Sequence, residues 1–378
     1  MPPLLETSQK KAQQPVWIEI QLNHLLHNLQ EVKRLAGPDT AIMSVIKANA
    51  YGHGLAQIAK SLEGRVNYFG VSSVAEALAL KELDLSTSIF LFGRYFPQEL
   101  PLILMDGITL TVSSFDEAQE ISAASSSLNR ITKVHIKVDT GMGRMGIPFR
   151  DTMKQIEKIS GLPHLELEGI YTHFPTAEAE DDFALRQLAD FSLLIEALQK
   201  KGITFRYRHA ANSSGILRFK ETSMNLVRPG LMLYGISSSP LSREFANLKP
   251  VLSLKSRINF MKTIRTGESV GYGRTFTADK TTRIAILPIG YSHGYPWNAS
   301  GKSSCLFHGK NFRIAGHVSM DYLAVDLGDE PANPGEEIIL LGSNGDVQIR
   351  AEDLAAWAST IPYEIMTGLA SHLPRFYL

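Results

Sequence analysis

The stretch Ala41-Ile-Met-Ser-Val-Ile46, Lys47-Ala-Asn-Ala-Tyr-Gly-His-Gly54, Leu55-Ala-Gln-Ile-Ala-Lys-Ser-Leu62 decides the fold. Its first six residues form a short apolar run of the kind buried in a parallel sheet. The next eight are polar and glycine-rich, which reads as a turn. The last eight carry a helical pattern. Strand, turn and helix in about twenty residues make one βα unit. Lys47 stands at the junction, where a pocket mouth can desolvate its ammonium and lower its pKa. A neutral amine in that place can form a Schiff base with a carbonyl cofactor.

The unit repeats along the chain. Further strands are expected at residues 67–72, 88–93, 108–112, 132–138, 167–172, 203–208 and 224–227. Helical patterns lie between them at 74–83, 115–124 and 182–200, and one at 23–36 precedes the first strand and stops at Gly37-Pro38. Eight strands with intervening helices favour a (β/α)8 barrel over a doubly wound sheet. After about residue 245 the alternation ends. Strand-like runs at 250–265, 283–289, 304–307, 312–316, 321–327 and 337–341 follow, separated by Gly, Asp, Asn and Pro turns, with one helix at 351–359. The expected division is a flexible tail over 1–14, a barrel over 15–245 and a mainly β domain over 246–378.

Lys+Arg and Asp+Glu both number 38 in 378 residues, so nothing in the charge balance points to nucleic acid or an anionic membrane. The single cysteine, Cys305, leaves no intrachain disulfide and suits a reducing compartment. No stretch reaches the roughly 18 apolar residues of a membrane span. The expected location is the cytoplasm.

In a (β/α)8 barrel the active site lies at the C-terminal ends of the strands. The first strand here ends at Lys47, and the fifth carries Lys137 and runs into Asp139-Thr-Gly-Met-Gly-Arg144. The sixth ends at Tyr171-Thr-His173, the seventh runs into His209-Ala-Ala-Asn-Ser213, and the eighth ends at Arg228-Pro-Gly230. Such convergence weighs more than any one residue. Backbone N–H groups after the last two strands form a common phosphate site, although Ser213 reads equally well as a plain helix N-cap. Gly141-Met-Gly-Arg-Met-Gly146 matches a dinucleotide fingerprint, but Pro148 and its place on the fifth strand argue against that use. The eleven histidines show no H-x-x-x-H or H-E-x-x-H spacing, so no metal is expected. His53, His173 and His209 read instead as hydrogen-bonding members of an organic-cofactor site.

These residues resemble the alanine racemase family, pyridoxal 5′-phosphate enzymes built from a (β/α)8 barrel and a β domain. The carriers are Val45-Ile-Lys-Ala-Asn-Ala-Tyr-Gly-His-Gly54, Lys137-Val-Asp-Thr-Gly-Met-Gly-Arg-Met-Gly146, Tyr171-Thr-His173 and Asn212-Ser213. They continue with Val227-Arg-Pro-Gly230, Val270-Gly-Tyr-Gly273, Pro288-Ile-Gly-Tyr291, Ser319-Met-Asp321 and Tyr363-Glu364, in family order from about residue 17 to the C-terminus.

The resemblance implies an interconversion of L- and D-alanine that supplies D-alanine for peptidoglycan. It implies that Lys47 carries the cofactor and serves as one acid/base, with Tyr272 on the opposite face of the substrate. A racemase removes the α-proton from one face and returns a proton to the other, so two groups are needed. By the same resemblance Arg228 faces the pyridine nitrogen, and Tyr51, Asn212, Ser213, Gly230, Leu231 and Tyr363 hold the phosphate region. His173 lies beside the ring, and His209 and Asp321 are supporting residues. Arg144 engages the substrate carboxylate, with Tyr291 and the Met320 N–H nearby, and Lys137 matches a position that is often carbamylated. Because Tyr272 and Met320 belong to the β domain, the family's head-to-tail homodimer with shared sites is implied as well. His372-Leu-Pro-Arg375 departs from the common Arg-x-Pro-Arg ending. Open alternatives are a racemase of broader specificity, for serine as an example, an amino-acid decarboxylase on the same architecture, and a non-catalytic carrier of the cofactor. The acidic residue and Gly-rich loop typical of the decarboxylases are missing, and residues 246–378 argue against the carrier.

Overall fold

The computed structural model describes residues 11–178, 182–237 and 244–378. Eight short strands form the parallel barrel: β1 Ala41–Val45, β2 Tyr68–Val71, β3 Ser88–Leu91, β4 Thr109–Val112, β5 Thr132–Asp139, β6 Leu165–Tyr171, β7 Tyr207–His209 and β8 Leu226–Val227. Each pairs in parallel with its neighbour from β1 to β7, and β8 returns to β1 through Leu226↔Ala41 and Val227↔Ile42. Between β7 and β8, where the N–H groups of Asn225 and Arg228 donate to the carbonyls of Arg208 and Ala211, a side chain completes the closure. Arg208 N–H donates to Asn225 Oδ1 at 2.7 Å, and Asn225 Nδ2 donates to the Arg206 carbonyl at 2.7 Å.

The two-residue period of the strands sorts their side chains. On β5, Val134, Ile136 and Val138 pack outward against the helices, while His135 and Lys137 point into the barrel. Outward packing has the expected helical form at Leu55–Leu62, where Ile58, Ala59 and Leu62 are buried. Burying Ile58 and Leu62 contributes roughly 1.5–3 kcal/mol each. The interior holds Met43, Tyr68, Phe90, Tyr171, Tyr207 and Leu226, an unusually aromatic filling.

The second domain is a sheet in the order Phe260–Ile264, Thr282–Leu287, Leu323–Gly328, Lys310–Ala315, Ser304–Phe307, Glu337–Asn344, Leu252–Arg257, Val16–Ile20 and Arg375–Tyr377. Two expectations need correction here. Val16–Ile20 does not belong to the barrel: it pairs antiparallel with Leu252–Arg257 and parallel with Arg375–Tyr377. Its five residues are all buried, and its two edges find their partners at residues 252–256 and 375–377. The single run expected over 250–265 is two strands, broken at Ile258-Asn259. Of the expected loose tail, residues 1–10 lie outside the described residues, whereas Lys11 pairs with Glu19. Helices at Leu100–Met105, Thr152–Ser160 and Pro362–Gly368 were not anticipated.

Candidate active site

Lys47 is half-buried at the end of β1, and the next four residues, Ala48 to Tyr51, all have φ of 53°. A left-handed run of non-glycine residues carries a penalty of roughly 1–2 kcal/mol per residue, so its surroundings must hold it. Several contacts do. Glu76 accepts the Ala48 N–H with one carboxylate oxygen and the N–H groups of Ser72 and Ser73 with the other. Arg375 Nε donates to the Gly52 carbonyl at 2.8 Å. Gly52, at φ 80°, lies so close to the Met366 carbonyl that a Cβ has no room there. His53 proves to be part of this support and not of the cofactor site. Fully buried, it hydrogen-bonds through Nδ1 to the carbonyls of Ala50 and Tyr51 and stacks on Tyr234.

A cavity of about 420 Å3 opens at the C-terminal ends of the strands. Lys47, Tyr51, Lys137, Arg144, His173, Asn212, Ser213, Arg228, Gly230, Leu231 and Tyr363 all line it, together with Ser72, Phe92, Met145 and Tyr171. Four of these side chains are cations and none is a carboxylate. Burial first, then the Arg144 charge, lowers the pKa of Lys47, and the Glu76 carboxylate partly offsets this. Burial, Arg144 and Arg228 bring Lys137 down to about 8. Such a site favours anionic ligands and neutral amines.

Arg228 is buried and, among the described residues, has no carboxylate partner within its hydrogen-bond shell. It donates to His209 Nδ1 at 2.7 Å and to the carbonyls of Thr172 and Ala210 at 2.8 and 2.9 Å. Burial lowers its pKa to about 10, so it keeps its proton at neutral pH. Burial, joined by Arg228, drives the pKa values of His173 and His209 well below normal, so both imidazoles are neutral. The phosphate-friendly end is equally defined. Ser213 Oγ accepts from the N–H groups of Gly230 at 2.9 Å and Met232 at 3.2 Å, while Asn212 caps the short Ser213–Arg218 helix through its Oδ1. Ser213 is therefore not the helix N-cap, which is Asn212; its hydroxyl instead ties the start of this helix to the segment after β8.

Apart from Tyr363, the candidate residues of the β domain lie elsewhere. Tyr272, 76% exposed, lies in a separate groove with His317, Ser319 and Tyr322, and Tyr291 and Met320 are also exposed. Asp321 accepts from the Ser292 hydroxyl. Within one chain, therefore, Tyr272, Tyr291 and Met320 do not line the Lys47 cavity.

Three residues that brace the cavity wall escaped sequence reasoning. Glu76 was legible as the second half of a Ser73-x-x-Glu76 capping box. His135 and Glu168 gave no motif, and only their meeting inside the barrel reveals them.

Known proteins match this arrangement along nearly the whole chain. Residues 20–238 match the family model described as alanine racemase, N-terminal domain, and residues 251–377 match alanine racemase, C-terminal domain. The alanine racemase of Carboxydothermus hydrogenoformans is 41% identical over 369 residues, covering 96% of this chain and 100% of that one. That of Desulforamulus reducens is 39% identical, covering 97% and 99%. Among solved structures, alanine racemase from Streptomyces lavendulae superposes with a TM-score of 0.90 at 32% identity, covering 96% of this chain and 97% of its own. The Bacillus anthracis alanine racemase with bound L-Ala-P superposes with a TM-score of 0.88 at 31% identity, covering 97% and 95%. On the family models and these relatives together, the chain belongs to the alanine racemase family.

Proposed function

We propose that this chain interconverts L-alanine and D-alanine with pyridoxal 5′-phosphate as its cofactor, in the cytoplasm, as a source of D-alanine for peptidoglycan. The observation that carries the reading is one cavity receiving Lys47, Arg228 and Ser213, on a chain 41% identical to an alanine racemase. The residues fit the cofactor at three points. The Lys47 amine, made less basic by burial, suits an aldehyde. Ser213 already accepts two backbone N–H groups, so its hydroxyl hydrogen is free to donate to a phosphate oxygen, beside Tyr51, Leu231 and Tyr363. Arg228 offers a permanent donor to the ring nitrogen. When bound, the cofactor supplies an electron-withdrawing ring that acidifies the α-hydrogen of the amino acid.

The chain's own groups then divide the proton work. Lys47 Nζ takes or returns the α-proton on one face of the substrate. The Tyr272 hydroxyl does so on the other face, which requires a second subunit whose β domain covers the cavity. Support for that assembly is the exposure of Tyr272, Tyr291, Trp297, Met320 and Tyr322 on one domain, an apolar surface of the kind that a partner covers. Arg144 pairs with the substrate carboxylate in the fork geometry of a guanidinium. Lys137, with its pKa near 8, has a fraction of neutral amine that can take up CO2, and the resulting carbamate would face Arg144 as an anion. Arg228 keeps its proton, so the ring nitrogen receives a hydrogen bond and not a full charge.

The reading is tested by incubating L-alanine with the loaded enzyme in D2O and following optical rotation and deuterium at the α-carbon. Loss of rotation with α-deuteration is expected. Release of CO2, or retention of the α-hydrogen, would overturn it. Parallel runs with serine and larger amino acids define the breadth of the pocket.

A further inference from the structure

Behind the cavity, the Arg228 guanidinium is the first member of a row of buried polar groups that runs down the inside of the barrel. Arg228 Nη1 meets His209 Nδ1 at 2.7 Å, His209 Nε2 meets His135 Nδ1 at 2.8 Å, and His135 Nε2 meets Glu168 Oε2 at 3.2 Å. Both imidazoles are fully buried, and Glu168 is only 2% exposed. At the far end Lys133 Nζ donates to Glu168 Oε1 at 2.8 Å, and the Tyr68 hydroxyl donates to Oε2.

The direction of every hydrogen bond in the row follows from its ends. A guanidinium can only donate, so His209 Nδ1 must accept. Its hydrogen is then on Nε2 and is donated to His135 Nδ1. That places the hydrogen of His135 on Nε2, which donates to Glu168. The terminal carboxylate can only accept, so the sequence of donors is consistent from one end to the other. Both imidazoles must be neutral, and burial lowers the pKa of each. Burial alone would raise the Glu168 carboxyl, but hydrogen bonds from His135, Lys133 and Tyr68 outweigh it and hold it at about 2.

The backbone is shaped to permit this row. The β5–β6 register slips between Val134 and His135, where Val134 pairs with Leu167 but His135 pairs with Gly169. Glu168 is the extra residue of that bulge, and bulges re-aim side chains. A Cβ on Gly169 would stand 2.6 Å from His135 Nδ1, so only glycine leaves room for the ring. Tyr171 stacks on His209 with ring centroids 4.7 Å apart, which fixes the second imidazole.

We propose that Glu168 is a positioning residue for Arg228, acting through His135 and His209 to hold His209 in the Nε2–H tautomer that accepts from the guanidinium. A glutamine in place of Glu168 leaves one oxygen for the three donors Lys133, Tyr68 and His135, so that an NH2 can face His135 Nε2 and turn its tautomer round. His209 then turns as well and presents an N–H to a guanidinium that is itself only a donor. Arg228 loses its shortest contact and shifts from its place at the cavity wall. The inference rests on Arg228 facing the cofactor only for its effect on rate, and the tautomer pattern stands apart from that reading.

The experiment has two parts that fail independently. In the cofactor-free protein, 15N NMR of labelled histidine reports which ring nitrogen of His135 and His209 carries hydrogen. The wild type is expected to show Nε2–H at both, and Nδ1–H or a doubly protonated ring at either position overturns the proposal without any substitution. Glu168→Gln and His135→Phe break the row at different points, the second leaving Glu168 with Lys133 and Tyr68. Both are expected to give mixed His209 tautomers and, in the loaded enzyme, a kcat lower by about 10- to 100-fold with KM for alanine within about twofold. A fall in kcat with the His209 tautomer unchanged would assign the effect to packing and overturn the proposal. Shifted tautomers with an undiminished kcat would leave the row in place and remove the reading of Arg228 instead.

Discussion

Lys47 and Tyr272 divide the proposed chemistry between two side chains that one chain does not bring together. Lys47→Ala should bind the cofactor without a covalent link, so that borohydride fixes none of it to the protein. Cofactor still attached covalently to that variant would displace Lys47 from its role. Tyr272→Phe should slow α-proton exchange from one enantiomer far more than from the other, by roughly 100-fold or more if the hydroxyl is the acid/base on its face. Equal losses in deuterium exchange from L- and D-alanine would make the tyrosine structural. Glu168 adds a pH dependence of stability. Its folded pKa of about 2 lies below the ordinary 4.5, so its contribution is present above about pH 4.5 and is lost as pH falls toward 2. Acid titration by circular dichroism should show the Glu168→Gln protein losing less stability over that window than the wild type does.

Among the elements, the turn from Ala48 to Tyr51 governs the site. Four left-handed residues point Lys47 into the cavity, and Glu76, Arg375 and His53 hold them there. Glu76→Gln leaves one oxygen to serve donors that now use two, and it turns an NH2 toward a backbone N–H. The expected loss is about 1–3 kcal/mol in a denaturant or thermal melt. A melt indistinguishable from wild type would show that the turn holds without the carboxylate. Arg375 also answers a question raised by His372-Leu-Pro-Arg375: the second basic position of that ending still clamps Gly52, whatever stands at the first.

The molecule as a whole places an anion-seeking cavity on the barrel and an exposed aromatic surface on the β domain. A head-to-tail dimer would satisfy both, each subunit covering the other's cavity. Mixing inactive Lys47→Ala and Tyr272→Phe proteins tests this. Random exchange of subunits makes half the dimers mixed, each with one intact site, so activity should return to about a quarter of wild type. No recovery after verified subunit exchange would place both groups of a site on one chain.

Much of this was legible from local patterns. The eight strand runs, the helices at Leu55–Leu62 and Phe183–Lys200, and the strand-end positions of Lys47, His173 and Arg228 follow from short apolar runs, the 3.6-residue period and the barrel's polarity. Such signals are carried by neighbours in sequence, and so the sequence by itself determined the barrel and the second β domain, while its motifs carried the family resemblance. Tertiary structure alone decided the rest. Val16–Ile20 joined the distant sheet because its partners lie at residues 252–257 and 375–377, beyond the reach of any local period. Glu168 met His135 because a one-residue slip in register turned it inward, and Tyr272 stood apart from Lys47 because it lines a separate groove of the second domain. Contacts between residues far apart in the chain depend on register and packing, which no short stretch encodes.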